Sequence, residues 1–118
     1  IACPEEFYPE DMKNYKNVSF TESISKAVEG SDLVSTDVWV SMGDENEADK
    51  RQKIFSHYQV NKEILDQAKP DVIFLHCLPA VRGQEISQNL LEDSRSYVWK
   101  QAENRLHAQK GLLVELLN

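Results

Sequence analysis

Four consecutive apolar residues, Val72-Ile73-Phe74-Leu75, constrain this chain more than any other feature. A continuous run of β-formers predicts a strand buried on both faces, the state of strands in parallel sheets. It follows Pro70, and before that proline Asn61 predicts an N-cap for the helical segment KEILDQAK. It then runs directly into His76-Cys77-Leu78-Pro79, an unusual polar exit for a core strand.

The rest of the chain alternates in the same way. Ile1-Ala2-Cys3 reads as a strand stopped by Pro4, residues 9–15 as a weak helix, and Val18-Ser19-Phe20 as a strand. Thr21 or Ser23 predicts the cap of a helix through Val28, with Gly30 after its end. Residues 33–36 form a strand ending near Asp37, and the long connection DVWVSMGDENEADKRQKIF is helical in its second part. A short helix is expected over 86–91, a strand at Tyr97-Val98-Trp99, and a helix over 103–117 that contains Gly111. This is an α/β chain with a mostly parallel sheet flanked by helices. At 118 residues, without repeats, it is one domain.

Composition excludes several function classes. Thirteen basic and 20 acidic residues give a net charge of −7, against the basic footprint that duplex binding needs. Most of the acidic excess lies in residues 1–70, with 14 acidic against 8 basic side chains, while residues 71–118 are close to neutral with 6 against 5. No apolar stretch approaches the roughly 18 residues of a membrane span, so no membrane association is expected. The opening IACPEEFYPEDMK lacks an apolar h-region, so no signal peptide is expected there. Two widely separated cysteines, Cys3 and Cys77, fit reduced thiols in a cytoplasmic protein, although one bridge stays open. An opening Ile1 in place of Met suggests a processed chain or a piece of a longer polypeptide.

In parallel α/β sheets ligands bind beyond the carboxyl ends of the strands, and two segments stand there. The first is Asp37-Val38-Trp39-Val40-Ser41-Met42-Gly43. Its carboxylate suits an ammonium group and its glycine a hinge; alternatively Asp37 caps a turn while Trp39 and Met42 pack. The second is His76-Cys77-Leu78-Pro79. Cys77 is a thiolate, proton relay or hydrogen-bond partner if nearby cations lower its pKa, or else a buried small hydrophobe. Successive side chains on a strand point apart, which places His76 and Cys77 poorly for one zinc. The bond before Pro79 is a candidate cis peptide.

A third segment, Glu103-Asn104-Arg105, is expected at the start of the last helix, where a guanidinium beside the N-terminus suits phosphate or carboxylate. An exposed helix-start arginine is the plainer alternative. Arg82, in Val81-Arg82-Gly83-Gln84, adds another loop cation. The acidic run 44–49 lacks the spacing of a calcium loop, and Glu47 with Arg51 and Asp49 with Lys53 are i,i+4 pairs instead. The three histidines show no metal-ligand spacing, so no metal is expected.

Taken together, the Asp37–Gly43 segment, His76-Cys77-Leu78-Pro79 and Gln101-Ala102-Glu103-Asn104-Arg105-Leu106-His107-Ala108-Gln109-Lys110 resemble ornithine carbamoyltransferase. Tyr58-Gln59-Val60-Asn61 adds to a similarity that runs the length of the chain. The resemblance is to the C-terminal, ornithine-binding part. It implies a Rossmann-like fold and the transfer of a carbamoyl group from carbamoyl phosphate to L-ornithine, giving L-citrulline and phosphate with no cofactor. Asp37 would bind the amino acid's amino group, with Ser41 and Met42 on a mobile loop closing over ornithine. Cys77 would sit beside the reacting amine and the carbamoyl group, Leu78 would give backbone contacts there, and Arg105 would reach carbamoyl phosphate. Cys77 and Arg105 are the catalytic candidates, and the family's functional unit is a homotrimer.

The family's phosphate-binding loop and N-terminal domain are not in this sequence, nor is the first strand of the ornithine domain, which the family places centrally. Residues 1–118 are therefore expected to be a partial ornithine-binding domain plus the C-terminal helix, inactive by itself. The competing reading is a non-catalytic α/β binding or assembly module of the same fold.

Overall fold

Two side-chain caps organise the first half of the molecule. In this computed structural model, which describes residues 1–40, 43 and 45–118 (Lys13 and Glu45 by backbone alone), Ser23 Oγ accepts the Lys26 N–H at 3.3 Å. That cap opens α1 (Ile24–Val28), and the chain leaves it through Gly30 at φ 66°. Asn61 Oδ1 accepts the Ile64 N–H at 2.9 Å and opens α3 (Lys62–Leu65). Both caps satisfy N–H groups that a helix start leaves without partners. Between them lies α2 (Ala48–Phe55), tied to the preceding turn by the Glu47–Arg51 pair at 3.1 Å.

β1 (Leu33–Thr36) and β2 (Ile73–His76) form a parallel pair, in register from Leu33 opposite Ile73 to Thr36 opposite His76. Along β2 burial alternates: Phe74 and His76 are buried, Ile73 and Leu75 only partly so. The apolar run predicts burial on both faces; in this chain one face is fully covered. Phe74 is the centre of the core, with Val28, Val34, Leu65, Val72, Ile86, Leu90 and Val98. Removing a ring at such a site costs about 3–5 kcal/mol.

On its far side β2 meets residues 95–97, where Phe74 donates to Arg95 O (2.8 Å) and accepts from Tyr97 N–H (2.9 Å). The expected strand at 97–99 is not formed. Tyr97 O accepts the Gln101 N–H at 2.8 Å, so the chain turns at once into α4 (Val98–Leu117). Val98 is buried under the sheet while Trp99 is 59% exposed, the one-sided burial of a helix start. Arg95 anchors this crossing: its Nε and Nη2 bind both Asp93 oxygens and its Nη1 reaches Asp66.

Four further expectations shrink to turns or single bridges. Residues 1–3 and 18–20 are not strands; Ala2 bridges Thr21 alone. The segment 9–15 holds one 3-10 turn, Met12–Asn14, and 86–91 ends in another, Leu90–Glu92. Ile86 instead bridges Val60 and Arg82, so it pins two loops together. A cleft of about 400 Å³ separates Ile1 and Ala2 from β1. Among the described residues no helix is long and apolar enough to cross a membrane.

Candidate functional site

Parallel register delivers the ends of β1 and β2 to the same place. Thr36 and His76 are paired, so Asp37 and Cys77 emerge side by side. The Cys77 thiol donates to Asp37 Oδ1 at 3.2 Å, and the same oxygen accepts the Val38 N–H at 2.7 Å. Both side chains are exposed, facing solvent rather than the core. The hydrogen bond to Asp37, then desolvation, raise the Cys77 pKa. The neighbouring carboxylate thus favours the thiol form of Cys77, and the geometry presents it as a hydrogen-bond partner or proton relay.

His76 lies beneath this pair and is 1% exposed. Its Nδ1 accepts the Leu78 N–H at 2.9 Å, which assigns the proton to Nε2, and Nε2 faces Glu85 Oε1 at 3.2 Å. Glu85, fully buried, accepts the Val81 N–H at 2.5 Å through the same oxygen. The loop 76–85 is therefore fastened at both ends from below. Leu78 adopts φ 58°, a region non-glycine residues rarely enter, and the Leu78–Pro79 bond is cis as expected. Because the Leu78 N–H is committed to His76, its carbonyl is the backbone group left for a ligand's donor.

The ligand atoms of Asp37, His76 and Cys77 lie within 4.8 Å of one another, closer than strand alternation predicts. The strand ends at His76, and beyond it side chains need not alternate. His76 is nevertheless a poor ligand, since Nδ1 already accepts a hydrogen bond and Nε2 faces Glu85. The cluster offers outward only one carboxylate and one thiol.

Arg105 is not beside a helix N-terminus. The final helix begins at Val98, two turns earlier, and Arg105 lies exposed on it with no hydrogen bond or ion pair among the described residues. The dipole argument for it therefore falls, while its charge and fork geometry stand. Its link to the pair runs through Gln101, one turn before it, whose Oε1 accepts the His76 N–H at 3.0 Å. Arg82 is not available to a substrate: it makes a two-pronged pair with Glu92 at 2.6 and 2.8 Å and donates to Gln88 O. Ser41 and Met42 lie outside the described residues. Just before them, Trp39 stacks on Phe55 at 6.4 Å, which fixes the root of that loop on α2.

Glu85 and Gln101 escape sequence reasoning as site residues. Glu85 carried one signal, a lone carboxylate after Gly83 and directly before the apolar Ile86.

Comparison with known proteins agrees with this geometry. The family described as aspartate/ornithine carbamoyltransferase, Asp/Orn binding domain, matches residues 1–116. An ornithine carbamoyltransferase of Methanosphaera stadtmanae is 46% identical over 98% of this chain and 42% of its own length. An anabolic ornithine carbamoyltransferase of Pseudomonas aeruginosa is 53% identical over 99% of this chain and 39% of its own. The chain thus spans about two fifths of the length of these curated relatives. Among solved structures, the anabolic ornithine carbamoyltransferase of Campylobacter jejuni superposes with a TM-score of 0.89 at 32% identity, covering 98% of this chain and 42% of that one. The Pyrococcus furiosus ornithine carbamoyltransferase gives 0.80 at 46% identity, covering 95% and 39%. A parallel α/β sheet that presents Asp37 and Cys77 together, and a family match over nearly every residue, place this chain in the aspartate/ornithine carbamoyltransferase family, in its Asp/Orn binding domain.

Proposed function

We propose that the chain is the ornithine-binding portion of an ornithine carbamoyltransferase. The observation that carries this is the Asp37–Cys77 pair, a carboxylate and a thiol 3.2 Å apart at the ends of adjacent parallel strands. An incoming alkylammonium meets a negative charge at Asp37, and a neutral amine meets the Cys77 sulfur as a weak partner. In the reaction the δ-amine nitrogen attacks the carbamoyl carbon. The C–N bond forms, the bond from that carbon to the phosphate oxygen breaks, and the amine's proton leaves with the phosphate or to solvent. Leu78, through its carbonyl, takes a donor of the carbamoyl NH2; Arg105 offers its guanidinium to the phosphate. Ser41 and Met42 are proposed to close over the amino acid, and no cofactor is needed.

We also propose that carbamoyl phosphate needs anion contacts beyond Arg105, and that the chain alone forms no citrulline. The working unit combines it with a carbamoyl phosphate-binding domain, in a homotrimer. Two unpaired cysteines fit a reducing, cytoplasmic setting. The test is citrulline formation from ornithine and carbamoyl phosphate, by the verified 118-residue chain and by an enzyme of the relatives' full length that contains it. Activity only in the longer form supports the reading. Turnover by the chain alone refutes the proposed incompleteness, and an inactive longer form refutes the proposed reaction.

A further inference from the structure

The backbone pairing beside β2 should fail at His76. Phe74 bonds to Arg95 O and to the Tyr97 N–H, so the next acceptor in parallel register is Tyr97 O. That carbonyl is already bound by the Gln101 N–H as α4 begins. The His76 N–H would be left without a partner next to a buried side chain, an arrangement proteins avoid. Gln101 Oε1 fills the place at 3.0 Å, so one side chain replaces the missing rung of a strand.

The replacement has a consequence for the site. Gln101 and Arg105 are four residues apart on α4, on one face and about 6 Å apart along the axis. A bond that pins Gln101 to the end of β2 fixes the rotation and height of α4 just where Arg105 leaves it. The pinned residue, His76, directly precedes Cys77. We infer that Gln101 is a positioning residue, whose side-chain oxygen holds Arg105 at a set distance from the Asp37–Cys77 pair. This deepens the proposed function and rests on it.

The test uses an enzyme of the relatives' full length containing this chain, with variants Gln101→Leu, Gln101→Glu, Arg105→Gln and the double variant Gln101→Leu/Arg105→Gln. Gln101→Leu should raise KM for carbamoyl phosphate on the order of tenfold, within the roughly hundredfold that an ångström-scale misplacement costs. The KM for ornithine should stay within about twofold, because Asp37 and Cys77 are held by β1 and β2. Gln101→Glu keeps an acceptor oxygen and should recover most of the loss. The double variant should be no worse than Arg105→Gln. Additive losses, or equal rises in both KM values, would overturn the inference while leaving the proposed function standing. Should Arg105→Gln leave carbamoyl phosphate kinetics unchanged, the role of Arg105 in the proposed function fails, and the inference with it. If Gln101→Leu yields little folded protein, Gln101→Asn, one methylene short of His76, is expected to show the same split between substrates; its absence there would also overturn the inference.

Discussion

Cys77 donates its thiol hydrogen to Asp37 Oδ1 across 3.2 Å, joining the ends of two strands that are 40 residues apart in sequence. Because the carboxylate stabilises the protonated sulfur, the Cys77 pKa lies above the ordinary thiol value. The sign of the pH effect follows. A raised folded pKa contributes stability that is fully present below the unfolded thiol pKa and is lost as pH rises through the folded one.

Asp37→Asn should therefore lower the Cys77 pKa and speed its alkylation by iodoacetamide near pH 8 severalfold, since the thiolate is the reacting form. Peptide mapping separates Cys77 from Cys3, the other free cysteine. Unchanged Cys77 kinetics would show that Asp37 does not govern the sulfur.

Glu85, buried beneath the site, should prove structurally demanding. Glu85→Ala leaves the Val81 N–H without its acceptor and the buried His76 Nε2 facing empty space. We expect a loss of about 2–4 kcal/mol in urea unfolding, the range for breaking a buried polar pair. Glu85→Gln, which keeps an acceptor oxygen, should cost less than half of that. Equal losses in the two variants would assign the effect to packing rather than to the hydrogen bond.

How much of this was legible beforehand depends on the range of the forces involved. Ser23 and Asn61 were readable because a cap is a bond over three residues, and the structure forms both. The strand at 72–75 was readable from composition, and its pairing with 33–36 brought Asp37 and Cys77 together as parallel topology implies. Tyr97-Val98-Trp99 misled because all three residues favour strands, yet the carbonyl of Tyr97 is captured by the Gln101 N–H and the helix wins. That shift of the helix start also moved Arg105 away from the dipole. His76 with Glu85, and His76 with Gln101, are long-range contacts that no local pattern encodes.

Asp93 gives a prediction at acid pH. The hydrogen bonds from Arg95 lower its pKa from 3.8 to about 2, and its side chain is mostly buried. A depressed folded pKa contributes stability present above the unfolded value and lost as pH falls through the folded one. The window is therefore about pH 4 down to 2. Asp93→Asn should remove about 1–2 kcal/mol at pH 7, allowing for partial solvent screening, and flatten the loss of stability across that window. Urea midpoints at pH 7, 4 and 2 measure this. An unchanged acid slope in the variant would mean that other carboxylates, such as Glu92 beside Arg82, dominate acid unfolding.

The isolated chain should also associate with itself. Among the described residues β1 pairs with β2 on one side only, and its other side faces the 400 Å³ cleft with Leu33 46% exposed. An edge of this kind presents unpaired backbone groups to any second strand. Leu106, Leu113 and Leu117 on α4 are more than half exposed and offer a separate apolar surface. The net charge of −7 opposes association, which makes the outcome dependent on salt as well as on concentration. Light scattering should find dimers or larger species. Leu33→Lys should reduce them if the strand edge is the contact, and Leu113→Glu with Leu117→Glu if the helix is. A monodisperse monomer at high salt would show that the cleft closes on itself without a partner strand.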